Sequence, residues 1–382
     1  MTTEILPAGE APTRAIPAAV LDQNLSIYLD LLRLVAAVEV VLGHARHFVM
    51  PRLPGFLSGH TGEAVAIFFV LSGFVIAFVA DRKERTLRSY ATARLSRLFS
   101  VCLIALASNV VFDAISRHYG AQPLTALPYY NGDYLGTLPF SLTFTNELWF
   151  SHRVFGTNEP YWSLGFEAAY YAIFAAFFYG GRRRGAILGV GLMLFFGPKI
   201  VAYMPIWLIG YATYHLLRTG RIRLHPAMAA GGFVVSIGLY LMVKRTMEHW
   251  ASPMFEPVAA EQLARSFVYF AIVGLLVAVN IVALRQLAPT RRLIPDRVAA
   301  AIRWLAGASF TLYLVHQPFL VMLSSLFPGI RTSAVAGGAA ILATFALALV
   351  LAELGERRKR TFQSAFGRIL GVAPASKDMP AA

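Results

Sequence analysis

The feature that most constrains this chain is a succession of apolar runs, each approaching or exceeding bilayer length and punctuated by charge or by Gly and Pro. A membrane span needs about 20 predominantly apolar residues. Segments of that length in lipid must satisfy their own backbone groups, which an α-helix does. Ten such runs are expected, near 28–50, 62–80, 96–115, 161–179, 185–200, 201–218, 227–244, 265–284, 304–326 and 333–353. The boundary between the fifth and sixth is the weakest, because Gly197, Pro198 and Pro205 crowd it. The expected fold class is therefore an all-α integral membrane protein, a polytopic bundle of about ten transmembrane helices. Only 14% of the residues are charged, against about a quarter in soluble domains.

The net charge of +14 invites a nucleic-acid reading, but the basic residues fall in short clusters between the apolar runs. Alternating ten spans puts 24 of the 34 Lys and Arg residues on one side and 9 on the other, with Arg33 inside a span. The positive-inside rule then predicts that both termini are cytoplasmic and that nucleic acid is not a partner. Residues 1–24, rich in Ala and Pro and lacking a signal-peptide pattern, read as a disordered cytoplasmic lead-in, and 361–382 as a cytoplasmic tail. The single cysteine, Cys102, excludes an intrachain disulfide, and the scattered histidines show no zinc-like spacing, so no metal is expected. The GxSxG, HExxH, Walker and GxGxxG patterns are all missing from the sequence.

One span stands apart. Leu29 to His47 reads LDLLRLVAAVEVVLGHARH, apolar overall yet carrying Asp30, Arg33, Glu39 and His44. Eleven helical steps separate Arg33 from His44, which leaves about 20° of angular offset and a rise of roughly 16 Å. A guanidinium and an imidazole thus share one face, about half a bilayer apart, with Asp30 on the same side. Ionisable groups at such depth face a partner or a cavity. Buried residues satisfied by neighbouring helices are the competing reading.

Three other stretches carry polar groups at helical spacing. Arg94 and Arg97 (RLSR) lie one turn apart and suit phosphates, whether of a nucleotide-bearing ligand or of membrane lipid. In NEPYWSLGFEAAYY, Ser163 and Glu167 share a face just inside the other membrane edge, a level that His44 also approaches, so a His44–Glu167 contact is expected. In WLAGASFTLYLVHQPFL, Ser309, Tyr313 and His316 form one stripe, and Pro318 frees a backbone carbonyl. Ser72 and Gly73 in the second span read as a close helix approach. The long connection 116–160 is rich in Tyr, Pro, Asn and Thr, and its middle, 138–149, reads as a short re-entrant or interfacial helix.

These phrases resemble those of acyltransferase-3 membrane proteins, the family of O-antigen and exopolysaccharide O-acyltransferases. Arg33 and His44 match its R-x10-H signature; IFFVLSGFVI, RLSR, WSLGFEAAYY and SFTLYLVHQPFL resemble its later phrases, in family order from Tyr28 to about Leu320. Ala66 stands where many members carry Asp, and Glu39 has no counterpart role. The resemblance implies an acyltransferase-3 domain over 25–360, with 116–160 outside the cytoplasm, in the inner membrane of a bacterium.

The resemblance further implies transfer of an acyl group, usually acetyl, from cytoplasmic acyl-CoA as donor substrate, with no bound cofactor, to a hydroxyl of a polysaccharide or glycolipid sugar. Arg33, Arg94 and Arg97 would hold the CoA phosphates. His44 would take the hydroxyl proton, with Glu167 orienting it. Asp30, Trp162, Ser163, Tyr313 and His316 would contact substrate or the thioester oxyanion. The alternative is a proton-coupled transporter or glycolipid flippase using the same His, Glu and Arg residues.

Overall fold

In a computed structural model, the structure describes residues 20–256, 258–287 and 293–372. Most of the expected lead-in and the end of the expected tail lie outside these residues. Thirteen α-helices run through the described residues: α1 Gln23–Phe48, α2 Thr61–Arg82, α3 Leu87–Tyr119, α4 Tyr134–Leu142, α5 Trp162–Tyr179, α6 Arg182–Phe196, α7 Pro198–Arg218, α8 Pro226–Met247, α9 Ala260–Leu287, α10 Asp296–Ala306, α11 Ser309–Leu326, α12 Ala334–Leu354 and α13 Lys359–Leu370. Every expected span coincides with a helix, but seven rather than ten are long and apolar enough to cross a membrane: α2, α3, α7, α8, α9, α11 and α12. The three that fall short have physical reasons. α6 has only 15 residues, while α1 and α5 are the helices that carry Arg33, His44 and Glu167.

Local chemistry sets the helix ends. The Asp22 carboxylate accepts from Leu25 N at 2.8 Å and starts α1. Thr86 and Ser89 form a capping box that starts α3 nine residues before the expected span, so Arg94 and Arg97 sit inside a 33-residue helix rather than ahead of one. Gly197, at φ +91°, separates α6 from α7, and Pro198 takes the first helical position where its missing N–H costs nothing. The expected 304–326 span is broken at Gly307 and Ala308 into α10 and α11. The Glu356 carboxylate accepts from Thr311 N and Oγ1, both at 2.9 Å, at the N-terminal turn of α11.

α11 is the axis of the bundle. It packs on α1, α3 and α12, and 72% of it is inside the protein, against 17% for α8 at the periphery. Pro318 lies within α11 and leaves the Leu314 carbonyl without its helical donor; Asn158 Nδ2 donates to that oxygen at 2.9 Å. The helices α2 and α7 touch backbone to backbone. A Cβ at Gly73 would strike the Trp207 carbonyl, and one at Gly210 the Val70 carbonyl, as expected of a small-residue crossing.

The bundle has two chemically different ends. At the basic end, Arg94 pairs with Glu84 at 2.6 Å and Arg218 with Asp81 at 2.6 Å. At the other end, the loop end, lies the 116–160 connection. Its helix α4 spans 134–142 rather than 138–149, and Phe144 and Trp149 take positive φ values of 57° and 54° beyond it. Buried Asp113 moors this connection. Its carboxylate accepts from Thr157 N (3.0 Å), Thr157 Oγ1 (2.5 Å), Asn109 Nδ2 (2.8 Å) and Tyr134 OH (2.8 Å). A buried ion pair adds to it: Lys199 Nζ donates to Glu147 Oε2 at 2.6 Å, and His152 Nδ1 meets Glu147 Oε1 at 2.7 Å.

Candidate functional site

Two cavities lie between the ends, and their linings share only Tyr313 and Val65. The basic-end cavity encloses about 770 Å³ of empty space, mouth included, and brings together Arg33, Arg94, Arg97, Ser163, Glu167, Tyr171, Ser309 and Tyr313 from four helices. The loop-end cavity, about 1100 Å³ on the same measure, is lined by His44, Glu63, Glu159, Trp162, Lys244, Glu248 and Phe255 among others.

Guanidinium chemistry dominates the first cavity. Arg33 Nη2 donates to Asp30 Oδ1 at 3.1 Å and to the Ala306 carbonyl at 3.0 Å. Arg94 lies over the rings of Tyr90 and Tyr171, and Arg97 over that of Phe310. The nearest carboxylate to Arg97 is Glu167, at 3.9 Å, beyond hydrogen-bond range. The Nε atoms of Arg33, Arg94 and Arg97 are all buried without a hydrogen-bond partner. Three cationic donors facing one space are an arrangement that receives an anion rich in acceptors.

The expected His44–Glu167 contact is not made. The Glu167 carboxylate accepts from Tyr171 OH, one turn along α5, and faces Arg97, which holds it in the basic-end cavity. His44 instead meets His316, with its Nδ1 3.1 Å from His316 Nε2. The hydrogen bonds fix both tautomers. His316 Nδ1 faces the Leu312 carbonyl at 3.2 Å and must carry a proton, so in the neutral ring His316 Nε2 accepts. His44 Nδ1 then faces two acceptors, His316 Nε2 and the Val40 carbonyl at 2.9 Å, and carries the other proton. His44 Nε2 is left with its lone pair, on a ring that lines the loop-end cavity. His316 itself is fully buried, at 0% exposure.

The remaining expected residues divide between the cavities. Ser163 Oγ and Tyr313 OH both donate to the Pro160 carbonyl, at 3.2 and 3.3 Å. Ser309 Oγ donates to the Ala306 carbonyl at 2.7 Å. Trp162 lines the loop-end cavity with its ring 5.2 Å from that of Phe255. Asp30 serves Arg33 and lines neither cavity. Glu39, without an assigned role in the sequence, accepts from His60 N at 3.0 Å at the start of α2. Sequence reasoning missed Glu159 and Lys244. Glu159 immediately precedes the Pro160 that was noticed, and only the loop's mooring reveals that it faces a cavity.

Two carboxylates outside the spans feel their surroundings. Burial pushes the Glu159 carboxyl above its usual value, and burial does the same at Glu84 against the opposing pull of Arg94. Among the described residues no group of three or more His, Cys, Asp or Glu side chains is placed to hold a metal ion.

The family model for the acyltransferase domain of the acyltransferase-3 type matches residues 26–353. No match is found among curated proteins or among solved structures.

Proposed function

The chain belongs to the acyltransferase-3 family, and from that premise we propose that this multi-pass membrane acyltransferase is a membrane O-acyltransferase. It takes an acyl group, acetyl by preference, from cytoplasmic acyl-CoA and passes it to a hydroxyl of an extracytoplasmic polysaccharide or glycolipid sugar. In this reading ten helices cross a bacterial inner membrane, with the basic end and both termini in the cytoplasm. The observation that carries the proposal is the pair of cavities meeting at Tyr313 and Val65, three guanidiniums in one and His44 in the other.

Arg33, Arg94 and Arg97 bind the donor phosphates through the guanidiniums that line this cavity. Glu167 limits the positive charge around Arg97 and is itself held by the Tyr171 hydroxyl. Arg33 and His44 are separated by a rise of roughly 16 Å along α1, a length comparable with an extended pantetheine arm. The thioester then arrives at the shared wall, where Tyr313 OH is a candidate donor to its carbonyl oxygen.

The acceptor hydroxyl enters from the loop end. His44 Nε2 takes its proton as the oxygen attacks the thioester carbon. The C–S bond breaks, and the proton passes from His44 to the departing thiolate, giving an ester and free CoA. Charge appearing on His44 strengthens the Nδ1–H bond to His316 and Val40, so this contact favours the transition state over the ground state.

Mass spectrometry of surface glycan from cells with and without the protein tests the proposal. A mass lower by one acyl unit in its absence, restored by wild type and not by His44→Ala, is expected. Identical glycan masses in all three strains would overturn it.

A further inference from the structure

The first helix carries a second stripe that the chemistry at His44 does not use. Tyr28, Leu32, Val35, Ala36 and Glu39 recur at helical spacing, with Glu39 turned about 140° from His44 around α1. They line a third hollow, which shares no residue with the two cavities above. It lies among α1, α2, α8 and α9 and encloses about 1030 Å³ of empty space, mouth included. It opens sideways, since Val35, Ile237 and Leu241 in its lining are 54%, 45% and 55% exposed. The way α8 is attached creates this space. α8 packs along α9 and is tied to α1 and α2 near its two ends. At the loop end Lys244 pairs with Glu63 at 2.9 Å, and Tyr240 OH meets His60 Nδ1. At the other end the rings of Phe233 and Tyr28 lie 5.9 Å apart, and Asn280 of α9 accepts from Tyr28 OH and donates to Ser236 Oγ at 2.9 Å.

The hollow is apolar along its length and acidic at one end. Leu32, Ala36, Ile67, Val273, Leu276 and Val277 wall its middle. Eleven helical steps from Tyr28 to Glu39 rise roughly 16 Å. That is about half of the roughly 30 Å hydrocarbon thickness, the length of a lipid tail from one leaflet. At the loop end Glu39, half-buried, accepts from His60 N with its Oε1 at 3.0 Å, and Tyr240 lies within its electrostatic reach. Lys244 is held by Glu63 and Glu248 at 2.9 and 3.3 Å, and no Lys or Arg pairs with Glu39 among the described residues. A carboxylate within a membrane helix normally has a charged partner or serves a ligand. Here the chain offers it a backbone amide and an open groove.

We infer that this hollow is a lipid site, which takes one tail of a phosphatidylethanolamine and sets its primary ammonium on Glu39. The inference goes beyond acyl transfer and is independent of the chemistry at His44. Charge complementarity selects the occupant. The ammonium donates to the second Glu39 oxygen, a charge-assisted bond, and the Tyr240 ring offers it a further negative face. An anionic head such as that of phosphatidylglycerol brings its charge against Glu39 with no cation to receive it. The tail runs from Glu39 toward Tyr28 and fills the space between α8 and α1. The lipid thereby fastens α8, of which only 17% is inside the protein, to the rest of the bundle.

Native mass spectrometry tests the site, with the full-length protein released from detergent micelles and titrated with phosphatidylethanolamine or phosphatidylglycerol of identical tails. The expected result is one ethanolamine lipid held roughly tenfold more tightly than the glycerol lipid, the worth of one charge-assisted bond, with Glu39→Gln bringing the two within about twofold. The glutamine keeps an oxygen for His60 N. Ile237→Trp, at the exposed mouth, should weaken the binding of both lipids. Equal binding of the two lipids by wild type, tighter binding of the glycerol lipid, or a preference that Glu39→Gln leaves intact would overturn the headgroup assignment. Unchanged binding in Ile237→Trp would overturn the placement of the tail. A second measurement needs no variant: phosphatidylethanolamine with a diazirine in its tail, photolysed on wild-type protein, should label the peptides that carry Val35 and Ile237. Label spread evenly over the lipid-facing helices would overturn the site.

Discussion

Replacing His316 tests the geometry in which it serves His44. The perturbation is His316→Leu, which removes the Nε2 acceptor lying 3.1 Å from His44 Nδ1 and leaves an apolar side chain at a fully buried position. The Val40 carbonyl remains 2.9 Å from the same nitrogen, so His44 keeps its tautomer and the ground state changes little. When His44 accepts the hydroxyl proton, its Nδ1–H becomes a charged donor, and a hydrogen bond to a charged group is worth about 1.5–3 kcal/mol. Loss of that bond only in the transition state lowers kcat by roughly 10- to 150-fold, with KM for acyl-CoA unaltered. His316→Gln offers an amide oxygen and restores part of the rate. The assay is steady-state acyl transfer by protein purified in nanodiscs, with thermal unfolding of each variant as a control. A properly folded His316→Leu protein within threefold of wild type, or a Gln variant no better than Leu, would refute the positioning role. A loss far beyond 150-fold would show instead that His316 itself carries the proton.

Three further outcomes are expected. Arg97→Gln removes the guanidinium whose nearest carboxylate is 3.9 Å away, and it should weaken acyl-CoA binding by roughly 10- to 100-fold, more so at low salt; an unchanged dissociation constant by calorimetry breaks the donor site. Gly210→Val drives a side chain into the Val70 carbonyl and should cost about 1–3 kcal/mol of stability, whereas Gly191→Ala, with nothing within 4 Å, should leave the melting temperature level or slightly higher. Lys199→Met takes the only lysine partner from the fully buried Glu147 carboxylate and leaves it His152 and Asn146, both on its other oxygen, and should cost about 3–5 kcal/mol; the double variant Glu147→Gln with Lys199→Met should recover most of the loss, and failure to recover would locate the damage elsewhere.

Much of the bundle was legible because hydrocarbon imposes a length and a helix on each apolar run. The face shared by Arg33 and His44 was legible for a related reason, since helical rise and turn are fixed by the backbone alone. Partners across helices were not. His44 and Glu167 approach the same level from different helices, but depth gives no lateral position, and the partner of His44 came from α11, 272 residues away. The break at Gly307 and Ala308 was hidden by continuous apolarity across it, and α3 begins early because a capping box at Thr86 and Ser89 starts a helix where no apolar run exists. The loop-end cavity was the least legible part. Glu159 comes to line it only once Asp113 has moored 131–158 onto the bundle.

The central claim is that donor and acceptor meet from opposite ends of one bundle. Proteoliposomes with the protein in a single orientation test it, with acetyl-CoA supplied on one face and a sugar acceptor confined to the other. Ester formation is predicted only when acetyl-CoA is on the face of Arg33, Arg94 and Arg97 and the acceptor on the face of His44, and it should vanish with His44→Ala. Equal rates in both arrangements, or ester formed with donor and acceptor both on the His44 face, would contradict the account.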